Sequence, residues 1–163
     1  RELRDLQQRL GLTVVYVTHD QTEAMSMADQ VVLLNAGRVE QVGPPQALYA
    51  RPESRFAARF IGTPPMNLVA LEGGAIGGLE PIATACWLGL RPEAIMIADH
   101  GLPARIEAIE YLGADQIVST RIGDQRVLVR AAAGDRLTVG IVVHLAWPPA
   151  AAHYFDHDDR RLG

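Results

Sequence analysis

Thr13-Val14-Val15-Tyr16-Val17 sets five β-branched or aromatic residues in a row with no polar alternation. Such a run suits a strand covered on both faces, as in a parallel sheet; a half-exposed strand would alternate apolar and polar side chains. Just before it, residues 1–11 read as a helix with Leu3, Leu6 and Leu10 on one face and Gly11 just past its end. Helix, tight turn and doubly covered strand predict an α/β layer at the start of the chain.

Thr18, His19 and Asp20 follow the run. Asp20 stands where a helix N-cap would stand, and Glu23, three positions on, is the reciprocal half of a capping box, so a second helix is predicted there. Ala24, Met27, Ala28 and Val31 recur at helical spacing as a packed face. Two short apolar runs then flank Asn35-Ala36-Gly37, a hairpin turn in which Gly37 supplies positive φ; the two strands are expected at the margin of the sheet. Pro45 marks a helix start, Pro52 a break, and Phe56, Arg59 and Phe60 lie on another short helix that Gly62 closes. Thr63-Pro64-Pro65-Met66-Asn67 has the composition of a semi-rigid linker. The expected boundaries are 1–61 for the α/β part, 62–68 for the linker and 69–163 for a second domain.

Past the linker the texture changes to short strand-like runs, ACWLGL, AIMIA, ARIEAIEYL, QIVSTRI, RVLVRA and TVGIVVHLAW, separated by turns rich in Gly, Pro or Asp. This predicts a small β-barrel or sandwich. GGAIGG, residues 73–78, reads as a flexible loop. The composition narrows the function. A chain of 163 residues, 48% hydrophobic, can bury a core, and a net charge of −4 with scattered basic residues argues against nucleic acid. All fifteen basic residues are arginine, which excludes any mechanism resting on a lysine of this chain. The single cysteine, Cys86, has no internal disulfide partner, no charged-then-apolar leader is visible, and no apolar run reaches the ~18 residues of a membrane span. A cytoplasmic location is the expectation.

In open α/β sheets ligands bind beyond the carboxyl ends of the strands, which is where His19 stands. Position alone leaves open a structural or merely exposed histidine. The residues taken in series go further: VVYVTHDQTEAMSMADQVVLLNAGRVEQVGPPQALYARP resembles the H-loop and following segment of the nucleotide-binding subunit of ABC importers of the maltose and glycerol-3-phosphate group. FIGTPPMN and LGLRPEAI are similar to that group's passage into a C-terminal regulatory domain of TOBE type, an oligonucleotide-binding-like (OB-like) barrel. IEAIEYLGADQIVSTRIGDQRVLVR resembles the glycerol-3-phosphate importer ATPase more than the maltose one, through LGAD and GDQRVLVR.

The resemblance implies an α/β end of an ABC nucleotide-binding domain followed by an all-β, OB-like TOBE barrel. It implies that His19 is the switch residue contacting the ATP γ-phosphate, a role suited to an imidazole that donates from one nitrogen while the other is held. It further implies ATP and Mg²⁺ as ligands of the longer protein, transmembrane permease subunits as partners, a homodimer held through the C-terminal domain, a possible regulatory protein, and a peripheral place on the inner face of the bacterial membrane. The Gly-rich loop whose lysine reaches the β- and γ-phosphates, the LSGGQ-like signature and the Asp-Glu pair for Mg²⁺ are not among these residues and are expected upstream of Arg1. This chain by itself is therefore expected neither to bind nor to hydrolyse ATP. The rival reading is a stand-alone regulatory module that binds a small anion or a protein. In the second domain, Arg91 of GLRPEAI offers a planar fork to a carboxylate or to backbone carbonyls, and Pro92 fixes a turn. HYFDHDD, with His153, Asp156, His157, Asp158 and Asp159, invites a metal reading, but it resembles the family's closing strand with a polar tail, and no metal is expected there. Glu107 and Glu110 read as the solvated face of a strand. The transported solute is not legible.

Overall fold

The computed structural model describes residues 2–71 and 84–163, with side chains from Arg4 onward, so the GGAIGG segment lies outside the described residues. The chain divides into two compact units, Arg1–Glu53 and Ser54–Gly163.

In the first unit, α1 spans Glu2–Leu10 and ends at Gly11, whose φ of 63° few other residues tolerate. Helix α2 spans Gln21–Met27, the hairpin strands β1 and β2 span Val31–Asn35 and Arg38–Gly43, and α3 spans Pro45–Ala50. Asn35 pairs with Arg38, so Ala36 and Gly37 form a two-residue turn with φ of 48° and 76°, the left-handed pair of a type I′ turn. Leu33 and Leu48 are buried, and the buried amide of Gln41 donates to Arg51 O at 2.9 Å and accepts from Glu53 N at 3.1 Å, tying down the chain after α3.

Two expectations are corrected here. Residues 13–17 belong to no strand, and Val15 and Val17 are 89% and 90% exposed. A β-branched run becomes a strand only when a neighbour satisfies its backbone groups, and among the described residues this unit's only sheet is β1–β2, which does not include it. For the same reason the hairpin stands as its own two-stranded sheet rather than at the margin of a larger one. Ala24, Met27, Ala28 and Val31 are half-buried, and α2 has no fully buried residue.

In the second unit, α4 spans Arg55–Phe60, capped by Ser54, whose Oγ accepts from Ala57 N at 3.2 Å. The strands are β3 Asn67–Ala70, β4 Trp87–Leu90, β5 Met96–Ala98, β6 Leu102–Tyr111, β7 Asp115–Ile122, β8 Gln125–Ala132, β9 Val142–Ala146, β10 His153–Phe155 and β11 Arg161–Leu162. They make a four-stranded sheet, β11-β10-β4-β3, and a five-stranded sheet, β5-β9-β6-β7-β8, with every described pairing antiparallel. Alternation sets the core: Leu102, Ala104 and Ile106 are the buried positions along β6, and Ala104 and Ile106 join Leu88, Leu90, Val118, Val127, Val129 and Leu145 in one cluster. The architecture is all-β and OB-like, yet among the described residues backbone pairing does not close the sheets into a barrel. Between β3 and β8 two side-chain amides take over. Asn67 accepts from Leu128 N at 2.7 Å and donates to Leu128 O at 2.8 Å; Gln125 accepts from Ala70 N at 2.6 Å and donates to Ala70 O at 3.0 Å. Each amide imitates a peptide group, so this edge of β8 is not left open to stray strands.

Candidate functional site

His19 lies in a bend between the irregular segment 12–18 and α2, and its side chain is exposed. The bend is built by its neighbours. Asp20 caps α2, its Oδ1 accepting from Thr22 N at 2.7 Å and Glu23 N at 3.2 Å. The other half of the expected capping box does not form. Asp20 N donates instead to Thr18 Oγ1 at 3.0 Å. Glu23 is thereby free to turn toward the run, where its Oε2 accepts from Thr18 Oγ1 at 2.9 Å and from Tyr16 OH at 3.1 Å. The Glu23 carboxylate raises the Tyr16 phenol above its ordinary value, first by accepting its hydrogen bond and then by its charge, so the phenol stays a donor at neutral pH. The sequence does not single out these two partners: Tyr16 reads as a member of the strand, and Thr18 only as the residue that follows it.

The remaining sequence-predicted residues lie in the second unit. Arg91 is 5% exposed and donates from Nη1 to the carbonyls of Ile61 and, at 3.4 Å, Ala58. These carbonyls lie at the end of α4, and Pro92 opens a 3₁₀ turn over Pro92–Ala94. In HYFDHDD, Asp156 Oδ1 accepts from Asp158 N at 2.9 Å and Arg160 N at 2.8 Å, and Asp159 pairs with Arg55 at 3.2 Å. Among the described residues no three His, Cys, Asp or Glu side chains converge as a metal site. Glu107 and Glu110 are both exposed; Glu107 pairs with Arg121, whose hydrogen bond holds the carboxyl below its ordinary value.

His153 is half-buried, and its Nδ1 is buried without a hydrogen-bond partner among the described residues. Burial foremost, then the charges of Arg161 and Arg91, lowers its pKa to about 4. The folded state therefore binds fewer protons than the unfolded state between about pH 4 and the ordinary histidine value near 6.5. Stability from this group is whole above that window and is lost as pH falls through it. The shift is worth ~3 kcal/mol undiscounted and about 1–2 kcal/mol once solvent screening of the half-open ring is allowed for. Urea titrations at pH 7 and pH 4.5 should show His153→Leu losing less stability than the parent chain across that interval; an equal loss in both would contradict the assignment.

Among the described residues no helix is long and apolar enough to cross a membrane. Residues 88–155 match the family model of the TOBE domain. The sn-glycerol-3-phosphate import ATP-binding protein of Chromohalobacter salexigens is 42% identical across 99% of this chain, with 49% of that relative covered. The proteins of the same description from Escherichia coli O1:K1 and Salmonella typhi are each 40% identical across 95% of the chain, again with 49% of each relative covered. The chain thus spans about half the length of the curated relatives it matches. It carries a TOBE domain and is similar, over nearly all its residues, to half of an sn-glycerol-3-phosphate import ATP-binding protein.

Proposed function

We propose that these residues are the C-terminal half of the ATP-hydrolysing, energy-coupling subunit of a bacterial ABC importer, with sn-glycerol-3-phosphate or a sugar as the solute. The observation that carries this reading is the 42% identity sustained across 99% of the chain, reaching well beyond the TOBE match at 88–155. Similarity confined to the TOBE region would have favoured a stand-alone regulatory module. Residues 62–68 are proposed as the connection between the nucleotide-binding part and the regulatory domain. The protein would work at the inner face of the membrane with permease subunits, as a homodimer joined through its TOBE domains, and open to a regulatory protein.

His19 is assigned the γ-phosphate contact. Its exposed imidazole suits that role, because the ring is open to a ligand and the capped start of α2 fixes the backbone that carries it. A single imidazole does not hold a nucleotide, so the phosphate cradle and the Mg²⁺ ligands are assigned to the other half of the protein. ATP supplies the phosphoanhydride bond whose hydrolysis is coupled to transport. The part played by this chain is to offer one N–H donor to the charge that builds up on the γ-phosphoryl oxygens. In the complete protein His19→Ala should leave nucleotide affinity within about threefold and slow turnover about a hundredfold or more, the range for losing one charge-stabilising donor. Steady-state ATPase assays alongside nucleotide titrations would show this; full turnover in the variant would remove the role.

A further inference from the structure

We infer that Glu23 is a positioning residue for His19, acting through a clasp of hydrogen bonds that sets the bend on which the imidazole is mounted; the inference rests on the γ-phosphate role proposed for His19. The clasp closes on both sides of the histidine. Upstream, Glu23 Oε2 accepts from Tyr16 OH at 3.1 Å and Thr18 Oγ1 at 2.9 Å. Downstream, Thr18 Oγ1 accepts from Asp20 N at 3.0 Å, and Asp20 Oδ1 in turn accepts from Glu23 N at 3.2 Å. The ring of contacts runs Glu23, Thr18, Asp20 and back to Glu23, and it encloses the backbone of His19 while leaving that side chain exposed to solvent.

Position and chemistry agree. A carboxylate four residues beyond His19 would ordinarily serve its own helix, as the reciprocal half of a capping box. Here Thr18 takes the Asp20 N–H, and the carboxylate is committed to the two residues that lead into the histidine. One acceptor oxygen that gathers two hydroxyl donors holds the end of segment 12–18 against the start of α2, the geometry needed to fix one φ/ψ pair between them. A catalytic donor must be delivered to within a fraction of an ångström, so loosening this bend would act on the chemical step and leave nucleotide affinity, set elsewhere, nearly untouched.

The test is a double-mutant cycle on ATP hydrolysis in the complete protein, with Glu23→Ala, His19→Ala, their combination, and Glu23→Gln. Glu23→Ala is expected to lower kcat about tenfold with KM for ATP changed less than about threefold. In the His19→Ala background it should change kcat less than about twofold, because a loosened bend has no imidazole left to misplace. Glu23→Gln keeps an oxygen that accepts from both hydroxyls and should recover most of kcat. Normal kcat in Glu23→Ala beside a slow His19→Ala would overturn the positioning role while leaving the histidine's own role intact. A tenfold loss that persists in the His19→Ala background would also overturn it, marking a purely structural carboxylate. His19→Ala with full turnover would remove the phosphate reading and the inference together, and that single variant tells this failure from the other two.

Discussion

Gly101→Ala should lower the stability of the TOBE-containing unit by about 4 kcal/mol, the sum of backbone strain and a clash that cannot relax cheaply. Gly101 holds φ at 134°, a conformation L side chains rarely adopt, and a Cβ there would overlap the Leu145 carbonyl oxygen and sit 2.9 Å from its carbon. Those are backbone atoms of β9, paired with β6 at Leu102↔Leu145, so relief requires moving a strand rather than turning a rotamer. Trp87 and Trp147 are the chain's two tryptophans and both lie in residues 54–163, so their fluorescence follows this unit by itself. The thermal midpoint read at those tryptophans should fall by about 15 °C or more. A fall under a few degrees would mean that the close approach of Gly101 to β9 is misjudged. Gly123 supplies the control, because its φ is 58° but a methyl group there would meet no atom within 4 Å. Gly123→Ala should show the strain without the clash and cost about 1–2 kcal/mol.

Arg91→Met is the second large effect, about 3 kcal/mol. Burying a cation is expensive, and replacing a whole buried ion pair by apolar residues is often harmless. Arg91 differs because it donates to two main-chain carbonyls, which stay behind when the guanidinium goes. Ala58 O keeps a bond from Met66 N at 3.3 Å, whereas Ile61 O loses its described donor. A buried acceptor left without a partner costs ~1–3 kcal/mol beyond the lost charge-assisted bond. Arg91→Lys should recover less than half, since an ammonium is more strongly hydrated than a guanidinium and costs more to bury at this site. Urea titrations followed at the tryptophans would measure both; equal stability in the Met variant would show that Ile61 O finds water instead.

Much of the architecture could be read before any coordinates, and the failures have physical causes. The I′ turn at Ala36-Gly37, the capped start of α2, the proline at the head of α3 and the strand runs from Trp87 to Ala146 are local facts, decided by φ restrictions, capping and two-residue alternation. The exposed run at 13–17 is different: its apolar pattern states that it wants cover, and no pattern within a run can supply the neighbouring strand. The candidate site divides along the same line. His19 was marked by the residues around it in series, but the diversion of Glu23 away from the capping box depends on where Thr18 and Tyr16 come to rest.

What the sequence determined alone is therefore most of the elements and turns, without the strand expected at 13–17, and the kinship carried by His19 and its neighbours. Only the tertiary structure decided that two amides, Asn67 and Gln125, bridge β3 and β8, and that Arg91 donates to carbonyls at the end of α4. Both decisions concern hydrogen-bonding groups whose partners are far apart in the chain. Periodicity and propensity describe what a segment offers, whereas a buried polar group is settled by which backbone atoms the completed fold brings within about 3 Å of it.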